Sequence, residues 1–370
     1  MEYRKIGNEK VSLLGFGCMR FPITSEGKID EQQAEEMLKK AIDQGVNYID
    51  TAFPYHNGES EPFVGKTIKK LGRDKVLLAT KLPMWKIETM EDVVETFESQ
   101  LERLQTDHID FYLLHALGKE RWEKVKELNI ISYLEKMKAE GKIRHIGFSF
   151  HDSYEVFEEI INYYNWDFCQ IQYNYMDTDV QAGSKGYELA KSKNIPIVIM
   201  EPLKGGVLAN LPDEVSKEFK NAEPEYSTAS WSLRWLSAHD NIKVILSGMS
   251  TMDQVDDNLK TFNEYKEMTD DDKLIVANVK NIINSRVRNS CTGCRYCMPC
   301  PNSVSIPELF RLWNNFGMYG NKEGAKARLN NFKEENLPKN CVECGACEAV
   351  CPQGISIIKD LKDLVNEINN

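Results

Sequence analysis

The sequence lacks long apolar runs, a net positive charge and a glycine-rich dinucleotide fingerprint. No apolar stretch reaches the roughly 18 residues that a membrane-spanning helix needs, and residues 1–5 contain no apolar core of a signal peptide. We therefore expect a cytoplasmic protein with no membrane partner. The formal net charge of −11 disfavours a nucleic-acid partner, because phosphate backbones attract basic surfaces.

Cysteine is scarce in most of the chain and concentrated near its end. Of the ten cysteines, Cys18 and Cys169 stand alone in apolar, strand-like surroundings, where they are predicted to be small buried hydrophobic residues. The other eight lie between Cys291 and Cys351. In a cytoplasmic chain, clustered cysteines indicate metal binding rather than disulfide bonds.

The first 265 residues alternate short apolar strands with amphipathic helices. After a short N-terminal hairpin, eight strands are predicted at 15–19, 48–52, 76–81, 109–115, 145–149, 168–173, 197–200 and 244–247. Eight strands, each followed by a helix, in about 250 residues is typical of a (β/α)8 TIM barrel. The alternative is a doubly wound open sheet, which would require a glycine-rich turn after its first strand, and that turn is absent.

Three consecutive predicted strands end in titratable side chains. Asp50 ends the second strand with Tyr55 just beyond it, Lys81 ends the third, and His115 ends the fourth. The carboxyl ends of the strands of a parallel barrel form one rim, where these four residues would meet. Each residue also has an ordinary structural interpretation: a turn carboxylate, a packed aromatic, a solvated lysine and a core histidine.

Together the four residues have the chemistry that carbonyl reduction needs. A tyrosine has an ordinary pKa of about 10, which is high for an acid near neutral pH. A neighbouring ammonium favours the phenolate, lowers that pKa and eases proton transfer, and a carboxylate can hold the ammonium in place. A histidine can bond and orient the carbonyl oxygen. We therefore expect Lys81 to lower the pKa of Tyr55.

Three local strings resemble the aldo-keto reductase family: residues 45–55, residues 101–115 (LERLQTDHIDFYLLH) and residues 141–149 (GKIRHIGFS). The resemblance covers about residues 1–265. It implies a nicotinamide cofactor held in an extended pose across the rim, without a Rossmann domain. It also implies a catalytic tetrad in which Tyr55 is the general acid, formed by Asp50, Tyr55, Lys81 and His115.

The resemblance further implies positions that bind the cofactor. They comprise a carboxamide pair, a diphosphate loop within 202–206 and an adenosine end. These positions are Ser149 and Gln170, then Pro202, Leu203 and Gly205, then Gly248, Gln254 and Asn258.

The chain also departs from the family pattern. Phe150 stands where an asparagine is common, and Met200 stands where a tyrosine often stacks on the nicotinamide. Gly248 and Gln254 replace the lysine and arginine that often bind the 2′-phosphate of NADP. Because Arg and Lys are the natural ligands of phosphate, both NADP and NAD stay open as the cofactor.

Two cysteine runs dominate the tail, and both end in Cys-Pro. The second run is the Cys-x2-Cys-x2-Cys-x3-Cys-Pro pattern of bacterial ferredoxins, and the first run is one residue shorter. They predict two [4Fe–4S] clusters. The alternative is a pair of zinc sites, which usually combine two separated cysteine hooks. In two-cluster ferredoxins the fourth cysteine of each run serves the other cluster. The predicted ligand sets are Cys291, Cys294, Cys297 and Cys351, and Cys341, Cys344, Cys347 and Cys300.

A polar, acidic segment at 266–272 predicts the domain boundary. We expect an aldo-keto reductase-like barrel over 1–270 and a mainly helical, ferredoxin-like domain over 271–370, with helices near 306–315 and 322–331.

The first functional hypothesis is an NAD(P)H-dependent reductase of a small carbonyl substrate, or the reverse oxidation of an alcohol, which carries two clusters. The alternative is an electron-transfer or redox-sensing protein whose barrel binds nucleotide without turnover. A third hypothesis is an active reductase whose clusters only stabilise the tail. Hydride carries two electrons whereas a [4Fe–4S] cluster transfers one, so an external one-electron carrier is a further candidate partner.

Overall fold

Eight parallel strands close into a barrel in the computed structural model, which describes residues 1–369. Their order around the barrel confirms the predicted (β/α)8 topology, because neighbouring strands follow one another in the chain and the last pairs with the first. An antiparallel hairpin precedes the barrel, as predicted. The hairpin strands are β1 (Tyr3–Ile6) and β2 (Glu9–Ser12). The barrel strands are β3 (Leu14–Gly17), β4 (Tyr48–Asp50), β5 (Leu77–Leu82), β6 (Ile109–Leu117), β7 (Ile143–Phe150), β8 (Phe168–Gln172), β9 (Ile197–Met200) and β10 (Ile242–Ser247).

Fifteen helices occupy the described part of the chain. Those up to the eighth barrel strand are α1 (Glu31–Asp43), α2 (Ser60–Leu71), α3 (Met90–Arg103), α4 (Lys119–Glu127), α5 (Ile130–Ala139), α6 (Tyr154–Tyr163), α7 (Gly183–Ser192), α8 (Asp213–Ala222) and α9 (Thr228–Ser237). Those that follow are α10 (Met252–Asn263), α11 (Asp270–Ser285), α12 (Ile306–Tyr319), α13 (Lys322–Asn330), α14 (Ala346–Ala349) and α15 (Ile357–Asn369). None of the helices within residues 1–369 is long and apolar enough to cross a membrane.

Alternation along the strands explains how the barrel presents polar groups at its rim. One apolar cluster fills the interior and includes Tyr48, Leu77, Ala79, Phe111 and Leu113. Successive side chains of a strand point to opposite faces, so residues two apart share a face. The next inward positions after these residues therefore lie toward the carboxyl ends of three strands. Those positions are Asp50 on β4, Lys81 on β5 and His115 on β6.

Helix α1 shows how local sequence shapes the outer layer. The Asp30 side chain accepts a hydrogen bond from the Gln33 N–H at 3.1 Å and caps the first turn. The apolar residues recur three and four positions apart, so they form one face that packs against the barrel's outer core. That buried face consists of Ala34, Met37, Leu38, Ala41 and Ile42.

The structure differs from the sequence pattern in two connections. The single helix expected after β6 is two helices, because Asn129 adopts a left-handed conformation with φ of 53° between α4 and α5. The connection after β9 likewise contains two helices, α8 and α9, rather than one. Asparagine tolerates the left-handed region better than most residues, which explains the position of the first break.

The described residues form two compact units, and their bounds differ from the expected division at 270/271. The first unit comprises Met1–Gly205 and Ala229–Lys273, and the second comprises Gly206–Thr228 and Leu274 onward. Helix α8 therefore belongs to the second unit, although it lies between two barrel strands in the chain. Within that unit Glu214 pairs with Arg286, and Asn278 donates to Glu218 at 3.3 Å. The sequence does not show this grouping because it depends on contacts about 60 residues apart.

The second unit has its own hydrophobic core beneath the cysteine runs. Residues of α12, α13 and α15 form it, among them Leu309, Phe310 and Leu364, which are fully buried. Partly buried cysteines of both runs pack against this core. The two predicted tail helices are present as α12 and α13, while α15 was not predicted.

Candidate active site and cysteine cavities

Lys81 and Asp50 form a buried ion pair at the carboxyl ends of neighbouring strands. The Lys81 Nζ donates to both Asp50 carboxylate oxygens, at 2.7 and 2.8 Å, and to the Thr51 carbonyl at 2.9 Å. All three ammonium N–H groups therefore have acceptors. Burial alone lowers the pKa of Lys81, but Asp50 and Tyr55 together raise it above its ordinary value, so the amine stays charged.

Tyr55 lies beside this pair, and its ring is the aromatic face nearest to the ammonium. The Lys81 Nζ is 5.3 Å from the Tyr55 ring centroid. Burial raises the pKa of Tyr55 and outweighs the opposing, lowering effect of Lys81. The net direction is opposite to the expected one. The physical reason is desolvation of the phenolate, which is the largest effect on Tyr55.

His115 completes the group of four at the rim. Its ring is 6.4 Å from that of Tyr55 in an edge-to-face arrangement and 4.9 Å from that of Trp85. Burial, followed by Lys81, His151 and Arg121, lowers the pKa of His115 well below its ordinary range. The imidazole is therefore neutral near pH 7. Its Nδ1 is buried without a hydrogen-bond partner among the described residues.

The two residues expected to bind a carboxamide pair with each other on the neighbouring strands β7 and β8 and are both buried. Gln170 donates through Nε2 to the Met200 sulfur at 3.7 Å, while its Oε1 is buried and has no partner in the described structure. Ser149 accepts the Ala116 N–H at 2.7 Å and keeps its own hydroxyl proton available. An unpaired buried amide oxygen is costly. The site therefore fits a ligand with an N–H donor, such as a carboxamide.

The Glu201 side chain occupies a backbone donor of the expected diphosphate loop, a contact that the sequence did not predict. The Gly205 N–H donates to the Glu201 carboxylate within the loop, and Glu201 adopts a φ of 56°. Pro202 is buried and its carbonyl accepts the Ser232 hydroxyl at 2.7 Å. Leu203 is partly buried. An anion at Gly205 would therefore have to replace the carboxylate of Glu201.

The expected adenosine end is built around the start of α10. Asn258 is buried and donates to the Ser247 hydroxyl at 2.8 Å. Gln254 is exposed, and its side-chain oxygen accepts the Ser250 N–H at 2.8 Å. Gly248 lies beneath the stem of Arg20, since a Cβ on Gly248 would be 2.6 Å from the Arg20 Cγ. Arg20 is thus an exposed cation beside the position where the family often has a lysine.

The eight tail cysteines line two cavities in the second unit, and each cavity draws on both runs. One is lined by Cys291, Cys294, Cys297 and Cys351, and the other by Cys297, Cys300, Cys341, Cys344 and Cys347. No group of three or more His, Cys, Asp or Glu side chains within residues 1–369 is arranged to hold a metal ion.

Four residues near the rim were not among the predicted site residues: Trp85, Arg121, Glu201 and Arg20. Trp85 contacts His115 and is 41% exposed. The sequence signal for Trp85 and Arg121 was their position in the loops after β5 and β6, since barrel enzymes build their sites from such loops. Glu201 follows β9 and Arg20 follows β3, so their positions after barrel strands could also have indicated them.

Family models match both parts of the chain. Residues 13–277 match the Aldo/keto reductase family, and residues 290–355 match a 4Fe-4S dicluster domain. The first match covers most of the chain and all eight barrel strands. The second begins just before Cys291 and extends beyond Cys351.

Individual relatives and a solved structure agree with the first match. Aldo-keto reductase YhdN of Bacillus subtilis is 39% identical over 164 residues, covering 40% of this chain and 47% of that protein. The NADH-specific methylglyoxal reductase of Escherichia coli is 25% identical over 285 residues. This alignment covers 64% of this chain and 85% of that reductase. The holo form of aldo-keto reductase AKR11C1 from Bacillus halodurans superimposes with a TM-score of 0.64 at 27% identity, covering 75% of this chain and 96% of that one.

Proposed function

The chain belongs to the aldo-keto reductase family, and on that premise we propose that it is an NAD(P)-dependent oxidoreductase. It reduces the carbonyl group of a small molecule, or oxidises the corresponding alcohol, with Tyr55 as the general acid. The observation that carries the proposal is the buried Lys81–Asp50 pair beneath Tyr55, at the carboxyl ends of the strands where barrel enzymes have their sites.

Proton transfer in this proposal belongs to Tyr55. A phenol whose pKa lies above its ordinary value holds its proton firmly at neutral pH and transfers it as negative charge develops on the carbonyl oxygen. The fixed Lys81 charge stabilises the phenolate that remains, and Asp50 keeps that charge in place. Since the ammonium is held before reaction begins, little reorganisation is needed when charge appears.

His115 orients the carbonyl in this proposal. A neutral imidazole can donate one hydrogen bond, and the Nδ1 of His115 is the buried ring atom that lacks a partner. The T-shaped contact with Tyr55 places the His115 ring next to the proposed acid, and the carbonyl oxygen is proposed to lie between them. An oxygen there would contact both rings, which is the arrangement that proton transfer requires.

The residues present fit a nicotinamide cofactor. Gln170 and Ser149 would hold the carboxamide through the unpaired Oε1 and the free hydroxyl proton. Pro202, Leu203 and Gly205 would lie along the diphosphate, and Gly248, Gln254 and Asn258 would lie at the adenosine end. Bound there, the cofactor supplies or accepts hydride. The NADH-specific relative in Escherichia coli supports keeping NAD beside NADP.

The second unit is proposed to hold two [4Fe–4S] clusters. The support is the pair of cavities lined by cysteines of both runs. Cys291, Cys294, Cys297 and Cys351 would bind one cluster. Cys300, Cys341, Cys344 and Cys347 would bind the other. Thiolate-bound clusters of this kind also support a location in the reducing cytoplasm.

The clusters would transfer electrons singly, whereas hydride transfer moves a pair. The proposal therefore gives the clusters an external one-electron carrier as partner, and leaves reduction of the carbonyl to the rim. Cys294 and Cys344 are the exposed cysteines of the two runs, which is consistent with access from outside.

The experiment compares the native protein with Tyr55→Phe after anaerobic purification with iron and sulfide. NAD(P)H oxidation is followed with a panel of aldehydes and ketones. We expect turnover by the native protein and a loss of about a hundredfold or more in Tyr55→Phe, the size typical of a lost general acid. Tyr163→Phe, an exposed tyrosine on α6, is the matched control. A native protein without turnover, or a Tyr55→Phe variant with native activity, would contradict the proposal. Either result would favour the alternative of an electron-transfer protein whose barrel binds nucleotide without turnover.

A further inference from the structure

Arg121 is a cation without a carboxylate partner beside the proposed reaction centre. It lies in the first turn of α4, and its guanidinium donates to the Ala116 carbonyl at 2.6 Å, one residue beyond His115. The guanidinium carbon is 5.8 Å from the Trp85 ring centroid, and the same ring contacts His115 at 4.9 Å. No ion pair of Arg121 occurs within residues 1–369.

The surroundings hold this guanidinium in place while leaving most of its donors available. An arginine has five N–H donors in a rigid fork, and only one hydrogen bond to the protein is made here. The guanidinium also lies over the Trp85 ring, at a distance that allows a cation–π contact. Arg121 is only partly exposed, so its charge acts with less screening than that of a surface residue.

The field of Arg121 reaches the reaction centre. Arg121 is among the groups that lower the pKa of His115, after burial, Lys81 and His151. It also lowers the pKa of His151, where burial is the largest cause and Gln181 and Glu201 act in the opposite direction. The ammonium of Lys81 is already neutralised by Asp50. Arg121 therefore contributes a positive charge at the rim that is not held in an ion pair with a carboxylate among the described residues.

We propose that Arg121 is a specificity-determining residue that binds the carboxylate of the substrate, so that the substrate is an oxo acid or, in reverse, a hydroxy acid. This inference rests on the proposed function. A planar guanidinium with free donors matches a carboxylate in two parallel hydrogen bonds. A chain with a net charge of −11 repels anions overall, so a local cation is needed to hold an acidic substrate.

The reaction balances without a further reactant. Hydride adds to the carbonyl carbon of the oxo acid, the carbon–oxygen π bond becomes a C–O single bond, and the Tyr55 proton passes to that oxygen. A bound nicotinamide cofactor would supply the hydride and would be oxidised as the oxo acid is reduced to a hydroxy acid. The carboxylate held by Arg121 takes no part in the bond changes, so Arg121 contributes through binding.

The kinetic test compares 4-oxobutanoate with butanal, and 2-oxobutanoate with its primary amide. In the native protein, kcat/KM for each acid is expected to exceed that for its neutral counterpart about tenfold or more, the size of one charge-assisted hydrogen bond. In Arg121→Met that ratio falls by a similar factor, mainly through KM, and Arg121→Lys recovers part of it. Lys119→Met removes a charge from the same helix and should leave the ratio unchanged.

A binding measurement separates this inference from the proposed function. Isothermal titration calorimetry with butanoate and butanamide requires no turnover, and we expect butanoate to bind the native protein at least tenfold more tightly than Arg121→Met. If no carbonyl compound is reduced yet butanoate shows this difference, the reductase proposal fails and the carboxylate site stands. A native protein that prefers the neutral substrates, or a variant with native selectivity and native butanoate affinity, would overturn the carboxylate site.

Discussion

Cys351 lines the same cavity as Cys291, although the two residues belong to different cysteine runs and α12, α13 and α14 lie between them in the chain. The other cavity likewise joins Cys300 of the first run to Cys341, Cys344 and Cys347 of the second. This exchange makes each proposed cluster depend on both runs. Cysteines of both runs also pack against the hydrophobic core of the unit.

We predict that Cys351→Ser and Cys300→Ser each remove one cluster and leave the other. Iron and acid-labile sulfide should fall to about half of the native content in each variant, and the double variant should lose more than either, because the ligand sets are separate. Cys169→Ser, at a buried cysteine in β8, is the control and should keep the native iron content. A zinc-loaded protein without labile sulfide would rule out the cluster assignment.

Asp50→Asn should reduce both activity and stability. The substitution leaves the Lys81 charge buried without its counter-ion, and breaking a buried pair by removing one partner costs about 3–5 kcal/mol. Chemical denaturation should report a loss of that order. Asp43→Asn, which breaks a solvent-exposed pair with Lys39, should leave the denaturation midpoint unchanged. Equal stability of the two variants would show that the Lys81–Asp50 pair is not the buried interaction described above.

Ionisation of Tyr55 should determine how kcat/KM for carbonyl reduction changes at alkaline pH. Since its pKa lies above the ordinary value of about 10, the phenol stays protonated throughout the neutral range. For carbonyl reduction, kcat/KM is expected to be flat from about pH 7 to about pH 10 and to fall beyond it. Alcohol oxidation needs the phenolate, so kcat/KM for oxidation should rise as the pH increases from about 7 to about 10. An inflexion of the reduction profile near pH 7 or 8 would mean that the ammonium outweighs burial.

Titration of His115 should contribute to the loss of folding stability at acidic pH. In the folded chain its pKa lies well below the value of about 6.5 expected after unfolding. The unfolded chain therefore binds the additional proton as pH falls below about 6.5, and the contribution of neutral His115 to folding is lost from there down to its folded pKa. The free energy of unfolding should decrease less steeply in His115→Gln than in the native protein between about pH 6.5 and 5. Parallel curves would contradict a neutral, buried imidazole.

Cofactor preference should respond to Gln254. This exposed residue lies in the first turn of α10, at the proposed adenosine end, and an arginine there would supply a phosphate ligand. We expect Gln254→Arg to tighten NADPH binding about tenfold, with NADH affinity nearly unchanged, as measured by quenching of protein fluorescence. Asp253→Asn changes the local charge by the same amount without adding a guanidinium. If it has the same effect as Gln254→Arg, the effect is one of charge alone.

Much of the fold could be predicted because its signals are local. Each βα unit has its own periodicity, and Asp30 and the apolar face of α1 are signals within a single turn or helix. The alternation of inward positions along β4, β5 and β6 is likewise a property of each strand. Once eight units were counted, the closed barrel and a rim carrying Asp50, Lys81 and His115 followed from strand geometry.

The sequence by itself determined the strand and helix pattern, the residue types at the rim and the two cysteine runs, because these depend on neighbours within a few positions. Only the tertiary structure decided three other properties. Burial rather than the Lys81 ammonium sets the direction of the Tyr55 pKa. Helix α8 joins the second unit. Arg121 reaches the surroundings of His115 through Trp85. Each property depends on the exclusion of solvent or on contacts between segments far apart in the chain. A residue's neighbours in the sequence do not determine either of these.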